Sequence, residues 1–278
     1  MSFRINTNVP SVAAQRSLSK TVSAQEKALQ KLASGSRINS SADDAAGLAI
    51  SEKMKGHVRS LKQADRNTND GISLVQVAEG SLNEINSILV RLRELSVQAA
   101  SDTIGDTERG FSDVEFQQLK SEIQRITQTT EFNGSKLLNG QGDKLDFQVG
   151  IFNNGFEDRV SYDQEKLNTT INSLGMGDTG VTHKESAQTN LNTIDDAIGI
   201  VAANRADLGA TQNRLVSASQ GIQYFVENLS AARSRISDTD YAEVTAENAK
   251  LNILQSSGTA VLTQANVMGQ NALRLIGG

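Results

Sequence analysis

The chain has 278 residues and a formal net charge of −5 with acids and bases interspersed, so no basic block exists to meet a phosphate backbone and nucleic acid is excluded as a partner. Aromatic residues make up 4%, tryptophan and cysteine are absent and Pro10 is the one proline, which rules out disulfides and thiolate metal sites and favours long thin helices over thick β-sandwiches. The opening MSFRINTNVP has no basic region leading into an apolar run, and no apolar run approaches the ~20 residues that span a bilayer; neither a cleaved signal peptide nor membrane insertion is expected.

In chain order, the first predicted element is a helix starting at about Pro10, whose narrow apolar stripe is Leu18, Val22, Gln25, Leu29 and Leu32. Small polar residues then interrupt it, ASGSRINSSADDAAG. Ser40 or Ser41 can cap a following helix, with Asp43 and Asp44 in its first turn where the macrodipole favours acids. This segment is either a joint between a central bundle and a terminal helix or simply a capped loop.

A long helix follows from about residue 43 to 100. Its seam is Val75, Ala78, Leu82, Ile85, Leu89, Leu92, Ser96 and Ala99, widened by Leu74, Ile88 and Leu95. A third helix is predicted to open at Ser112, with Glu115 three residues on as a capping box and Phe116, Leu119, Ile123, Ile126 and Thr130 as its stripe. Between residues 131 and 165 the period changes. Asn133-Gly134 is a turn signal, Leu145, Phe147, Val149 and Ile151 alternate as a strand does, and Val160 and Tyr162 repeat the alternation. A polar loop is expected through Gly175–Gly180.

From 187 to 236 steps of four and three give Ala187, Leu191, Ile194, Ile198, Val201, Arg205, Leu208, Gln212, Leu215, Ser219, Ile222, Val226, Leu229, Arg233 and Ile236. This is a helix of ~75 Å at ~1.5 Å per residue with a coiled-coil seam, in which the polar breaks fix register. The last walk is Leu251, Leu254, Gly258, Val261, Ala265, Met268, Ala272 and Leu275. From Leu254 large and small residues alternate, so another helix can approach closely. Isolated helices of this kind are marginal in water. The two ends need neighbours, each other or identical copies.

The expected fold is therefore mainly α: an elongated antiparallel helical bundle with coiled-coil seams and a small β-hairpin region, plus paired N- and C-terminal helices. Its divisions are 1–32 and 237–278 for the terminal helices, 33–42 for the linker and 43–236 for the bundle, with the hairpin region at about 131–165. No catalytic, cofactor or metal constellation emerges. His57 and His183 are the only histidines and neither has a second at helical spacing, so zinc is not expected. The pairs Asp43-Asp44 and Asp195-Asp196 are adjacent in sequence and diverge on a helix, which excludes a facing carboxylate dyad.

The segments SGSRINSSADDAAGLAIS (34–51), RNTNDGISLVQVAEGSLNEINSILVRLRELSVQAA (66–100) and EFNGSKLLNG (131–140) resemble the N-terminal conserved region of bacterial flagellins. DLGATQNRL (207–215), LSAARSRISDTDYAEVTAENAKLNILQSSGTAVLTQAN (229–266) and QNALRLI (270–276) resemble the C-terminal one. The resemblance implies a short flagellin without inserted surface domains, self-assembling into the hollow helical filament used for swimming. The terminal helices, with Leu18, Val22, Leu29, Leu32, Leu254, Gly258, Val261, Ala265, Met268 and Leu275, would line the filament's inner core. Arg37, Asn39, Asp43 and Asp44 would lie in the spoke between layers, where Ser36 stands in place of the family's usual leucine. The resemblance also implies unfolded export by the flagellar type III channel without a cleaved signal peptide, an extracellular location, and an export chaperone, filament cap and hook–filament junction proteins as partners. Arg91, Leu95 and Glu115 match positions read by the flagellin-sensing host Toll-like receptor. The rival expectations are the hook–filament junction protein and, from another class, an adhesin or binding module on a coiled-coil scaffold.

Overall fold

The computed structural model describes residues 7–142 and 144–276, with side chains described through Met268. It contains five helices, α1 (Val9–Ser34), α2 (Ala45–Ala99), α3 (Asp106–Thr129), α4 (Lys184–Ser237) and α5 (Tyr241–Ile276). Two antiparallel hairpins, β1 (Glu131–Phe132) with β2 (Ser135–Lys136) and β3 (Leu145–Gln148) with β4 (Arg159–Tyr162), lie between α3 and α4, followed by a 3₁₀ turn, Gln164–Leu167. The chain divides into two compact units. One is built from its two ends, up to Gly56 and from Asn228; the other comprises His57–Glu227.

In the central unit α2, α3 and α4 form an antiparallel helical bundle. Its direction is read from pairs that step oppositely along the partners: Ser219 donates to Asp65, Arg205 faces Glu79 and Arg93 pairs with Asp195 between α2 and α4, while Thr130 meets Ser81 and Arg91 meets Glu115 between α3 and α2. The predicted α2 seam is the buried face: Val75 through Ala99 are all buried, with Leu74 and Leu95, and only Ile88 sits half-buried on the flank. Leu82, Ile85, Leu89 and Leu92 of α2, Phe116 and Ile123 of α3, and Ile194, Val201 and Leu208 of α4 are all fully buried.

On α4 the phase differs from expectation by one residue at alternate positions. Ala187, Ile194, Val201, Leu208 and Leu215 are buried as expected, but their companions are Asn190, Ala197, Asn204 and Thr211, whereas Leu191, Ile198, Arg205 and Gln212 are half-buried. Helices approach most closely where side chains are small, so the line of closest contact follows Ala, Asn and Thr while the larger side chains close over the flanks.

Three local expectations are corrected. Helix α3 starts at Asp106, a turn and a half before Ser112, whose hydroxyl donates back to the Glu108 carbonyl inside the helix. The earlier start is fixed by Asp106 and Glu108 in the first turn and by Arg109. The Arg109 guanidinium is buried and donates to the carbonyls of Ala99 (2.9 Å) and Ser101 (2.9 Å), which satisfies and charge-complements the C-terminal end of α2, while Asp106 takes its third hydrogen bond at 2.7 Å. The cap of α2 is Asp44, neither Ser40 nor Ser41: its carboxylate accepts from the Gly47 amide at 2.8 Å and its carbonyl from Leu48.

The segment Gly175–Gly180 is no free polar loop. Met176 and Val181 are fully buried, and polar groups of α3 supply the hydrogen bonds that burial demands. Lys120 Nζ donates to the carbonyls of Gly177 and Thr179, Gln117 to Thr179, and Asp113 accepts from the Val181 amide at 2.7 Å. Burial of its side chain draws the Lys120 pKa below the ordinary lysine value.

The Asn133-Gly134 turn signal holds. Asn133 and Gly134 adopt φ of 50° and 80°, the left-handed pair that a tight two-residue hairpin requires. In the second hairpin Leu145 pairs with Tyr162 and Phe147 with Val160, and Val149 and Gly150 both donate to the Asp158 carbonyl, ending the ladder before Ile151. Phe147 lies against Gly71 of α2, where an added Cβ would come within 2.9 Å of the ring. His57 is half-buried with its ring edge-to-face to Phe152 at 5.8 Å.

Candidate assembly surface

The unit built from the ends is organised by α1 packed against α5 in antiparallel fashion. Asn8 illustrates how α1 starts. Its side chain accepts from the Ser11 amide as N-cap while its Nδ2 donates to the Ala265 carbonyl at 2.9 Å, and Pro10 follows in the first turn where no amide is needed. Further along, Ser11 donates to Asn266 (2.7 Å), Gln25 to Asn252 (2.6 Å) and the Tyr241 hydroxyl to the Leu32 carbonyl (3.3 Å). Asp240 caps α5 by accepting from the Ala242 and Glu243 amides.

Between these polar pairs the apolar contact is thin. Ala28, Val244 and Leu251 form its buried cluster, with Ala24 and Leu32 against it, and Ala265 is buried nearer the far end. Gly258 receives Leu18, since a Cβ there would stand 3.3 Å from Leu18 Cδ1. The α5 walk of four and three thus separates into two columns. Leu251, Gly258 and Ala265 face α1. Leu254, Val261 and Met268, at seven-residue spacing, stay 45%, 58% and 53% exposed with the pair fully formed. On α1, Leu18, Val22 and Leu32 are half-buried and Leu29 is 48% exposed, because Ala28 occupies the line of closest approach. The side chain of Leu275 lies outside the described residues.

The segment after α1 is tied to the segment before α5. Gly35, at φ 66°, closes α1 in the left-handed region, and its carbonyl accepts from Thr239. Arg37 donates its amide to the Ser237 carbonyl and its guanidinium to the Ile236 carbonyl, both at 2.7 Å. The Ser36 hydroxyl is directed at the carbonyls of Ile38 (2.9 Å) and Ser237 (3.0 Å), a bridging role a leucine could not take. Asn39 donates to the Ser36 carbonyl. The Asp43 carboxylate accepts from the amides of Asn39 and Ser40 and from the Ser40 hydroxyl; the Ser40 amide first and then that of Asn39 hold its pKa below the ordinary aspartate value. Ile38 is buried against Gly47, whose missing Cβ leaves the space its Cδ1 fills.

In the central unit Arg91 bridges Glu94 and Glu115, each at 2.9 Å, on an exposed surface, while Leu95 is 2% exposed and belongs to the core beneath. Sequence reading missed Arg109 and wrongly excluded the spacing G-x-G-x-x-G, which occurs in GMGDTG (175–180). That spacing follows no strand of a βαβ unit and opens no helix, since α4 begins at Lys184, so it lacks the context of a dinucleotide site. Among the described residues no cluster of His, Asp and Glu could hold a metal ion and no helix is long and apolar enough to cross a membrane.

Comparison with known proteins matches residues 5–143 to the bacterial flagellin N-terminal helical region and 191–276 to the bacterial flagellin C-terminal helical region. The flagellin of Halalkalibacterium halodurans is 42% identical over 272 residues, covering 98% of this chain and 99% of that one. The Bacillus subtilis flagellin is 38% identical over 306 residues, covering 99% and 100%. Among solved structures, Bacillus cereus flagellin aligns with a TM-score of 0.51 and 31% identity over 56% of this chain and 88% of its own. A putative flagellar hook-associated protein from Vibrio parahaemolyticus (TM-score 0.54, 15% identity, 70% of this chain and 100% of its own) shares the fold. With both conserved regions present in order and nearly the whole length aligned to full-length flagellins, the chain belongs to the bacterial flagellin family, whose members are structural subunits of the extracellular flagellar filament.

Proposed function

We propose that the subunits join through the ends of the chain, with Leu254, Val261 and Met268 as the column that neighbouring copies cover. One observation carries this reading: α1 consumes the alternate column of α5 and leaves these three side chains about half-exposed in the folded pair. Large apolar side chains repeated along one exposed helix face mark an interaction surface. A contact between unlike surfaces of identical copies does not close on itself and so propagates as a helix of subunits. In this reading 1–32 and 237–278 line the filament interior, 33–42 is the spoke held by Arg37, Asn39, Asp43 and Asp44, and 43–236 forms the surrounding tube.

Export through the flagellar type III channel without a cleaved signal peptide belongs to the same reading. So do an export chaperone that covers the exposed column before assembly, and cap and junction proteins that meet the same ends. A host Toll-like receptor would meet Arg91 and Glu115 on the exposed face, with Leu95 supporting them from beneath. The test is truncation. Deleting 1–32 or 240–278 is expected to leave a helical monomer by circular dichroism and sedimentation, with no filaments in electron micrographs after a salt or seeding step that polymerises the full chain. Filaments of normal length from either truncation would overturn the proposal.

A further inference from the structure

With cysteine absent, methionine is the one readily oxidised sulfur in the chain, at Met1, Met54, Met176 and Met268. Their surroundings differ sharply. Met176 is fully buried, Met54 is half-buried on α2, and Met268 is 53% exposed on α5, in line with Val261 and Leu254. Met1 lies outside the described residues.

We propose that Met268 is an oxidation-sensitive switch on assembly: in the unassembled subunit a peroxide converts its thioether to the sulfoxide, and the altered edge no longer docks a second copy. The inference rests on the reading of the Leu254–Val261–Met268 column as a contact between copies. In the step itself the sulfur lone pair attacks one peroxide oxygen, the O–O bond breaks and an S–O bond forms. The departing hydroxide takes the proton of the S–OH group so formed and leaves as water, so sulfur is oxidised by two electrons and the peroxide reduced by two. The product is polar and chiral at sulfur. Buried in an apolar contact, the sulfoxide oxygen needs a donor that the thioether did not, and burying an unpartnered polar group is unfavourable. Once copies cover the column the thioether is shielded, so sensitivity belongs to the free subunit.

The test uses the purified full chain as monomer, treated with hydrogen peroxide, mapped by peptide mass spectrometry and then assembled on seeds with sedimentation as readout. The expected result is sulfoxide at Met268 well before Met176 and a rise of about tenfold or more in the critical concentration, reversed by a methionine sulfoxide reductase. Met268→Leu, which keeps the edge apolar without sulfur, should assemble equally before and after peroxide, and Met268→Gln should assemble poorly without any peroxide. Unchanged assembly of wild type carrying the Met268 sulfoxide would overturn the inference. So would a loss of assembly by peroxide-treated Met268→Leu as large as that of wild type, which would move the sensitive group elsewhere. Normal assembly of wild type and of Met268→Gln alike would refute the column reading beneath it.

Discussion

Arg109 ties the start of α3 to the end of α2. It is buried between α3 and the end of α2 and gives two of its donors to carbonyls that the α2 helix cannot satisfy itself. Arg109→Ala should lower unfolding free energy by about 2–3 kcal/mol, measured by urea denaturation, because buried acceptors lose their partners. Asp43 acts at the surface. Its depressed pKa means that its contribution is present above the unfolded value, ordinarily about 3.9, and is lost as pH falls through the lower folded value. Hydrogen exchange at the Asn39 and Ser40 amides should therefore lose its protection in that acid window, and Asp43→Asn should weaken that protection at neutral pH and remove its acid dependence. Neither role was legible in sequence. An arginine three residues after an aspartate reads as a surface pair, and only the turn between α2 and α3 brings it back to Ala99.

At the scale of elements, the long helices and the first hairpin turn were legible because hydrophobic spacing and the Asn133-Gly134 dipeptide are local signals. The phase of contact was less so. A walk that follows large apolar residues lands on Leu29 and Ile198, whereas the lines of closest approach run through Ala28 and Ala197, one residue earlier in each helix. The reason is steric, since the backbones come nearest where there is least side chain, and sequence alone does not reveal how near they come. This yields a paired test. Ala197→Glu puts a carboxylate in the closed interior and should destabilise the central unit by about 3 kcal/mol or more, while Ile198→Glu, able to reach solvent from a flank, should cost about 1 kcal/mol, compared by thermal melts. The buried Gly175–Gly180 segment was misread for a related reason. Its backbone partners Gln117 and Lys120 lie some sixty residues away, and composition alone marks such a stretch as exposed.

At the scale of the whole molecule, pairing of the two ends was legible. The α1–α5 contact is held by a small cluster and a few polar pairs, and it leaves one of the two α5 columns open. Leu254, Val261 and Met268 stay exposed although α1 and α5 are paired. The central claim is that copies of the chain cover them. It is tested most directly by seeded assembly of the triple variant Leu254→Asn, Val261→Asn, Met268→Asn, followed by sedimentation, with circular dichroism to verify that helicity is retained. The account predicts a helical protein that stays in the supernatant at concentrations where wild type pellets as filaments; pelleting at the wild-type critical concentration would contradict it.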